Sequence, residues 1–128
     1  MNGDISDAEL ASRLAETAGR LLREVRSSRL VSGPSLGKTG DLTANQFLMH
    51  ALRSQRPDDG VLCEETKCDG SRLLKERVWI VDPLDGTREF GEERPDWAVH
   101  VALTVRGEPV VGAVALPDLD LVFRSDRP

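Results

Sequence analysis

The chain has 128 residues, 39 % of them hydrophobic and 30 % charged, values of an ordinary folded domain that exclude disorder as the starting assumption. Its net charge of −5 argues against a surface for nucleic-acid polymers, which needs a basic face. No apolar run approaches the roughly 18 residues of a membrane helix, and the N-terminus lacks a basic-then-apolar leader, so the expectation is a soluble cytoplasmic protein without a membrane partner.

Residues 6 to 29 read as an amphipathic helix. Ala11, Leu14, Ala18, Leu21, Leu22 and Val25 follow the i, i+3, i+4, i+7 stripe, and Ser6 with Glu9 forms a capping box. Val31 to Gly40 holds Gly33, Pro34, Gly37 and Gly40 and reads as a loop. A second helix is expected from Thr43, which forms a box with Gln46, its apolar face carried by Ala44, Phe47, Leu48, Ala51 and Leu52. Pro57-Asp58-Asp59-Gly60 ends it.

Strands follow. Val61-Leu62-Cys63 runs into Glu64-Glu65, and Val78-Trp79-Ile80-Val81 ends at Asp82. Ala98 to Val105 alternates, with Val99, Val101, Leu103 and Val105 on one face; Arg106 to Pro109 turns; Val110 to Leu116 returns; Leu121-Val122-Phe123 follows a further turn at Pro117 to Asp120. The expected class is α+β, two helices layered on a largely antiparallel sheet. Cys63 and Cys68 lack zinc spacing or a second pair and read as free thiols. His50, on a helix, and His100, in a strand, are given structural or solvated roles.

The chemistry concentrates where strands end in acids. If those two strands are neighbours, Glu64, Asp82 and Asp85 converge at one sheet edge. Carboxylates that close raise one another's pKa unless a cation neutralises them. Oxygen donors alone favour Mg²⁺ over zinc. Pro83 is expected to fix a turn that points the Leu84 carbonyl and Asp85 back toward Asp82, which can then bridge two ions. Gly86 admits a ligand close to the backbone, Thr87 offers an N–H and a hydroxyl, and a short helix starting here would present free N–H groups to an anion.

Asp-Pro-Leu-Asp-Gly-Thr-Arg-Glu-Phe, residues 82 to 90, resembles the signature of the lithium-sensitive inositol monophosphatase superfamily. The Cys-Glu-Glu at 63 to 65 and the hairpin from Asp96 to Pro117 resemble the same family, so the resemblance covers most of the chain. It implies the N-terminal half of an αβαβα sandwich and a Mg²⁺-dependent phosphomonoesterase with two or three ions, inhibited by Li⁺. It also implies roles. Glu64, Asp82 and the Leu84 carbonyl are similar to ligands of a first ion, Asp82 and Asp85 to those of a second, and Glu64 or Glu65 to those of a third. Thr87 with an upstream acid, Asp41 or Glu65, would activate water; Gly86, Thr87 and Glu64 would hold the substrate. The segment from Lys38 to Asn45 is shorter than in many relatives, and Asn45 or Gln46 stands where they have a later Asp, so the assignment of Asp41 is left open.

Thr87-Arg88-Glu89-Phe90 and the run Asp96 to Leu103 resemble the 3′(2′),5′-bisphosphate nucleotidase branch of sulfate assimilation. That branch implies 3′-phosphoadenosine 5′-phosphate as substrate. Inositol monophosphate or fructose 1,6-bisphosphate is the alternative, and an inactive metal-binding or assembly module is the alternative of another class. The resemblance further implies that residues 1–128 are the metal- and phosphate-binding domain, that a C-terminal half completes the site, and that the complete enzyme is a homodimer acting on a small phosphorylated metabolite.

Overall fold

A computed structural model describes residues 5–63 and 75–126. Helix α1 (Asp7–Ser27) starts where the sequence expects it: the Ser6 hydroxyl accepts from the Glu9 N–H at 3.0 Å, satisfying one of the helix's unbonded donors. Glu9 turns its carboxylate to Arg13 and Arg124. Of the stripe, Ala11, Leu14, Ala18 and Leu22 are buried and Leu21 and Val25 half-buried, and Leu10 and Ala15 join them in the core.

Helix α2 (Gly33–Gln55) corrects the expectation of a loop. It begins ten residues before the expected start, with Ser32 at the N-cap and Pro34 in the first turn, where a missing N–H costs nothing. No capping box forms at Thr43, whose hydroxyl donates to the Thr39 carbonyl one turn back at 2.8 Å. Two of the glycines that suggested a loop are contact points. A Cβ on Gly40 would lie 2.8 Å from the Phe90 ring, and one on Gly37 2.8 Å from the Thr87 methyl and 2.9 Å from its carbonyl oxygen. Close packing to a neighbouring element, with tertiary burial offsetting weak helix propensity, keeps the segment helical.

Strands β1 (Gly60–Cys63), β2 (Arg77–Asp85), β3 (Ala98–Val105), β4 (Glu108–Leu116) and β5 (Leu121–Arg124) form one sheet in chain order. β1 runs parallel to β2, with Cys63 beside Val81; the other pairings are antiparallel, as expected for the sheet as a whole. A short helix, α3 (Thr87–Gly91), follows β2, and a 3₁₀ turn (Pro117–Leu119) links β4 to β5. One sheet face lies under the helices and carries Trp79, Val81, Val99, Val101, Leu103, Ala113 and Ala115, all buried. No helix among the described residues is long and apolar enough to cross a membrane.

Two ion-pair clusters pin the layers together. Arg77 donates to Asp7 and Asp59, Arg56 donates to Asp7, and the indole N–H of Trp79 donates to Asp59 at 2.8 Å, tying α1 and the end of α2 to the start of β2. Arg26 of α1 donates from Nη2 to both carboxylate oxygens of Asp118 and lies 5.2 Å from the ring centres of both Phe90 and Trp97, while the Trp97 N–H also donates to Asp118. Through Phe90 this second cluster fixes the position of α3.

Candidate metal and phosphate site

The apolar run Val78 to Val81 carries β2 to Asp82 in regular pairing with β3, Val81 opposite Val101 and Asp82 opposite His100. Between Asp82 and Asp85 the register slips by one residue, so that Asp85 stands opposite Ala98. Pro83 therefore makes no turn: the strand continues through a bulge, which re-aims side chains at its end. The slip lets two consecutive residues, Pro83 and Leu84, both be buried, with half-buried Asp82 and exposed Asp85 on either side. Cys63, the last described residue of β1, lies beside Val81 at the same edge.

Gly86 turns the chain into α3 with φ of 91°, and a side chain there would strike the Asp96 carbonyl at 2.9 Å, so both backbone conformation and space call for glycine. Its carbonyl accepts from the Phe90 N–H at 2.9 Å, and Thr87 opens the helix. The Thr87 hydroxyl has one proton and two acceptors in reach: the Leu84 carbonyl at 3.1 Å and Asp41 Oδ2 at 3.3 Å. Asp41 comes from α2, 46 residues earlier, and the close approach of Gly37 to Thr87 brings the two elements together. Asn45, one turn further along α2, accepts from the Cys63 thiol at 2.8 Å instead. A cavity of about 510 Å³, within the range of small-molecule sites, opens between α2 and α3 with Lys38, Asp41, Thr87 and Arg88 in its walls.

Of the residues named from the sequence, Asp41, Leu84, Gly86 and Thr87 thus meet around one turn, with Asp82 and Asp85 at the strand end beside it. Glu64 and Glu65 lie outside the described residues, as does Cys68. Among the described residues no group of three or more His, Cys, Asp or Glu side chains is placed to hold a metal. The donors present, two carboxylates and the Leu84 carbonyl, are all hard oxygens; they fit Mg²⁺ in kind and supply part of its usual six. Sequence reasoning set His100 aside, yet its Nε2 lies 3.0 Å from Asp85 Oδ2. The alternation of β3 was the available signal, since it puts His100 on the face opposite Val99 and Val101.

The model of the inositol monophosphatase family matches residues 6–127. A 3′-phosphoadenosine 5′-phosphate phosphatase of Mycobacterium leprae is 47 % identical over 96 % of this chain and 50 % of its own length. The 3′(2′),5′-bisphosphate nucleotidase CysQ of Escherichia coli is 37 % identical over 66 % of this chain and 35 % of its own. Among solved structures, CysQ from Bacteroides thetaiotaomicron, a bacterial member of the inositol monophosphatase family, superposes with a TM-score of 0.82 at 27 % identity, covering 96 % of this chain and 46 % of that one. The chain spans about half the length of the mycobacterial relatives it matches.

Proposed function

The chain belongs to the inositol monophosphatase family, and from that premise we propose that it forms the metal- and phosphate-binding half of a Mg²⁺-dependent phosphomonoesterase. Its proposed substrate is 3′-phosphoadenosine 5′-phosphate, cleaved to AMP and inorganic phosphate. The observation that carries the reading is the contact of Thr87 with Asp41 and the Leu84 carbonyl, directly after Asp82 and Asp85. It joins a proton acceptor from α2 to a hydroxyl relay and hard oxygen donors that lie within one turn of chain.

When bound, Mg²⁺ supplies positive charge against the phosphate and the departing oxygen. Asp82, Asp85 and the Leu84 carbonyl would hold it, with Glu64 as a further donor. In this role the Thr87 hydroxyl directs its proton to Asp41. Thr87 then accepts a hydrogen bond from the attacking water, and the water's proton passes through the hydroxyl to the carboxylate. The water oxygen bonds to phosphorus as the bond from phosphorus to the ribose 3′ oxygen breaks, and that oxygen takes up a proton from solvent to leave as the 3′ hydroxyl of AMP. Gly86 and Thr87 offer backbone N–H groups to the phosphate. Positioning and charge neutralisation carry most of such a reaction.

The same reading assigns the rest of the site to a second half like that of the longer relatives. The sheet face away from α1 and α2 supports this: Ile80 pairs with Ala102, and Val114 with Phe123, while Ile80 and Phe123 are left exposed. The test is phosphate release from 3′-phosphoadenosine 5′-phosphate, inositol 1-phosphate and fructose 1,6-bisphosphate, by residues 1–128 alone and by a polypeptide extended to the relatives' length. The extended chain is expected to prefer the nucleotide, to stop in excess chelator and to be inhibited by Li⁺, and the 128-residue chain to turn over poorly. A higher kcat/KM for inositol phosphate would overturn the substrate, activity in chelator the metal dependence, and full activity from residues 1–128 the divided site.

A further inference from the structure

His100 is the one imidazole at the acidic end of β2. Directly opposed residues of an antiparallel pair share a sheet face, so His100 shares one with Asp82; Ala98, two residues back along β3, shares it with Asp85. The bulge brings Asp85 within reach, and His100 Nε2 lies 3.0 Å from Asp85 Oδ2. A carboxylate only accepts, so in this contact Nε2 carries the proton and donates.

We propose that His100 is a positioning residue that orients Asp85 for a divalent cation, an inference that rests on the metal-binding reading above. The Asp85 side chain is 60 % exposed, and the imidazole is its only hydrogen-bond partner among the described residues. An exposed carboxylate loses rotamer freedom when it takes up an ion. A donor that already holds Oδ2 removes part of that cost and leaves Oδ1 and the second lone pair of Oδ2 for the cation. Hydrogen-bonded ligands of this kind are a general feature of metal sites, and losing the outer partner weakens metal affinity by about 10- to 100-fold. Imidazole suits the task because its neutral form donates without bringing a fixed positive charge beside the ion, as arginine in the same place would.

The experiment uses the 128-residue chain and Mg²⁺ as the probe. Calorimetric titration compares wild type, His100→Ala, His100→Gln and Asp82→Asn, with circular dichroism to check that each is folded. Glutamine can present an N–H near the position of Nε2. Expected is a loss in Mg²⁺ affinity of about tenfold or more for His100→Ala, recovery of most of it in His100→Gln, and no binding by Asp82→Asn. Long-range ¹H–¹⁵N spectra of the metal-free chain should show His100 with its proton on Nε2. Equal affinity in wild type and His100→Ala would overturn the inference alone, as would equal losses in the Ala and Gln variants or a proton on Nδ1. A wild-type chain that takes up no Mg²⁺, with the Nε2 proton in place, would overturn the metal reading and this inference with it.

Discussion

The two ends of β2 use aspartate in opposite ways. At the Arg77 end, Asp7 and Asp59 are enclosed by donors: Arg77 reaches both, Arg56 holds the first, and the Trp79 indole holds the second, whose side chain is only 8 % exposed. At the other end, Asp85 is largely exposed, pairs with no arginine among the described residues, and meets an imidazole. The first end cross-links helices to sheet, where a buried carboxylate is tolerated only because it is fully paired. The second leaves carboxylate oxygens available, which adds nothing to the stability of the metal-free fold and gives a cation a place to bind. A carboxylate's partners, more than its residue type, separate scaffold from site.

The largest expected effect tests that division directly. Asp82→Asn should remove Mg²⁺-dependent phosphate release by the extended polypeptide, and Asp85→Asn, at the exposed acid, should leave the thermal midpoint of the metal-free chain little changed. If the Asp85 variant unfolds instead, Asp85 belongs with Asp59 as a structural acid and the comparison fails. Thr87→Ala comes next. Turnover should fall by about 10²-fold, the scale of a lost proton-transfer group, while Mg²⁺ affinity measured by calorimetry is nearly unchanged. Joint loss of both would make Thr87 a structural part of the loop.

At the opposite end, Arg77→Met should destabilise the chain by about 2 kcal/mol in urea unfolding and leave Mg²⁺ affinity intact. The figure lies below the 3–5 kcal/mol of a fully buried broken pair because the Arg77 side chain is 37 % exposed and solvent screens part of the interaction. Mg²⁺ binding that weakened in this variant would show the two ends to be coupled.

The smallest effect concerns pH and the other enclosed acid, Asp118. Burial pushes its carboxyl up, but hydrogen bonds from Arg26 and Trp97 and the charges of Arg26 and Arg23 outweigh this and hold it below its ordinary 3.8. A carboxyl whose folded pKa is depressed binds fewer protons folded than unfolded. It therefore contributes stability above 3.8 that is lost as the pH falls through the folded value. Acid unfolding followed by circular dichroism should show a shallower pH dependence in Asp118→Asn over that window, on top of a lower baseline stability. An unchanged slope would remove Asp118 from the acid-sensitive groups.

Much of this was legible in the chain itself. The stripe of α1, the alternation of β3 and the cap at Ser6 follow from local periodicity and side-chain chemistry, because one face must be buried and one hydroxyl can satisfy one free N–H. The run from Asp82 to Thr87 marked the site for a similar reason: its acids, glycine and threonine are consecutive, so the chain keeps them together however it folds. What needed tertiary structure was every relation between distant segments. Gly33, Gly37 and Gly40 looked like a loop because propensity counts only the chain's own backbone, whereas the packing of Gly37 against Thr87 and of Gly40 against Phe90 decides for a helix. Pro83 looked like a turn because no local rule places a bulge opposite His100. The meeting of Asp41 with Thr87 across 46 residues, and of His100 with Asp85 across 15, depends on which strands pair and in what register. Register is set by the burial of a whole sheet face, and only the assembled core determines it.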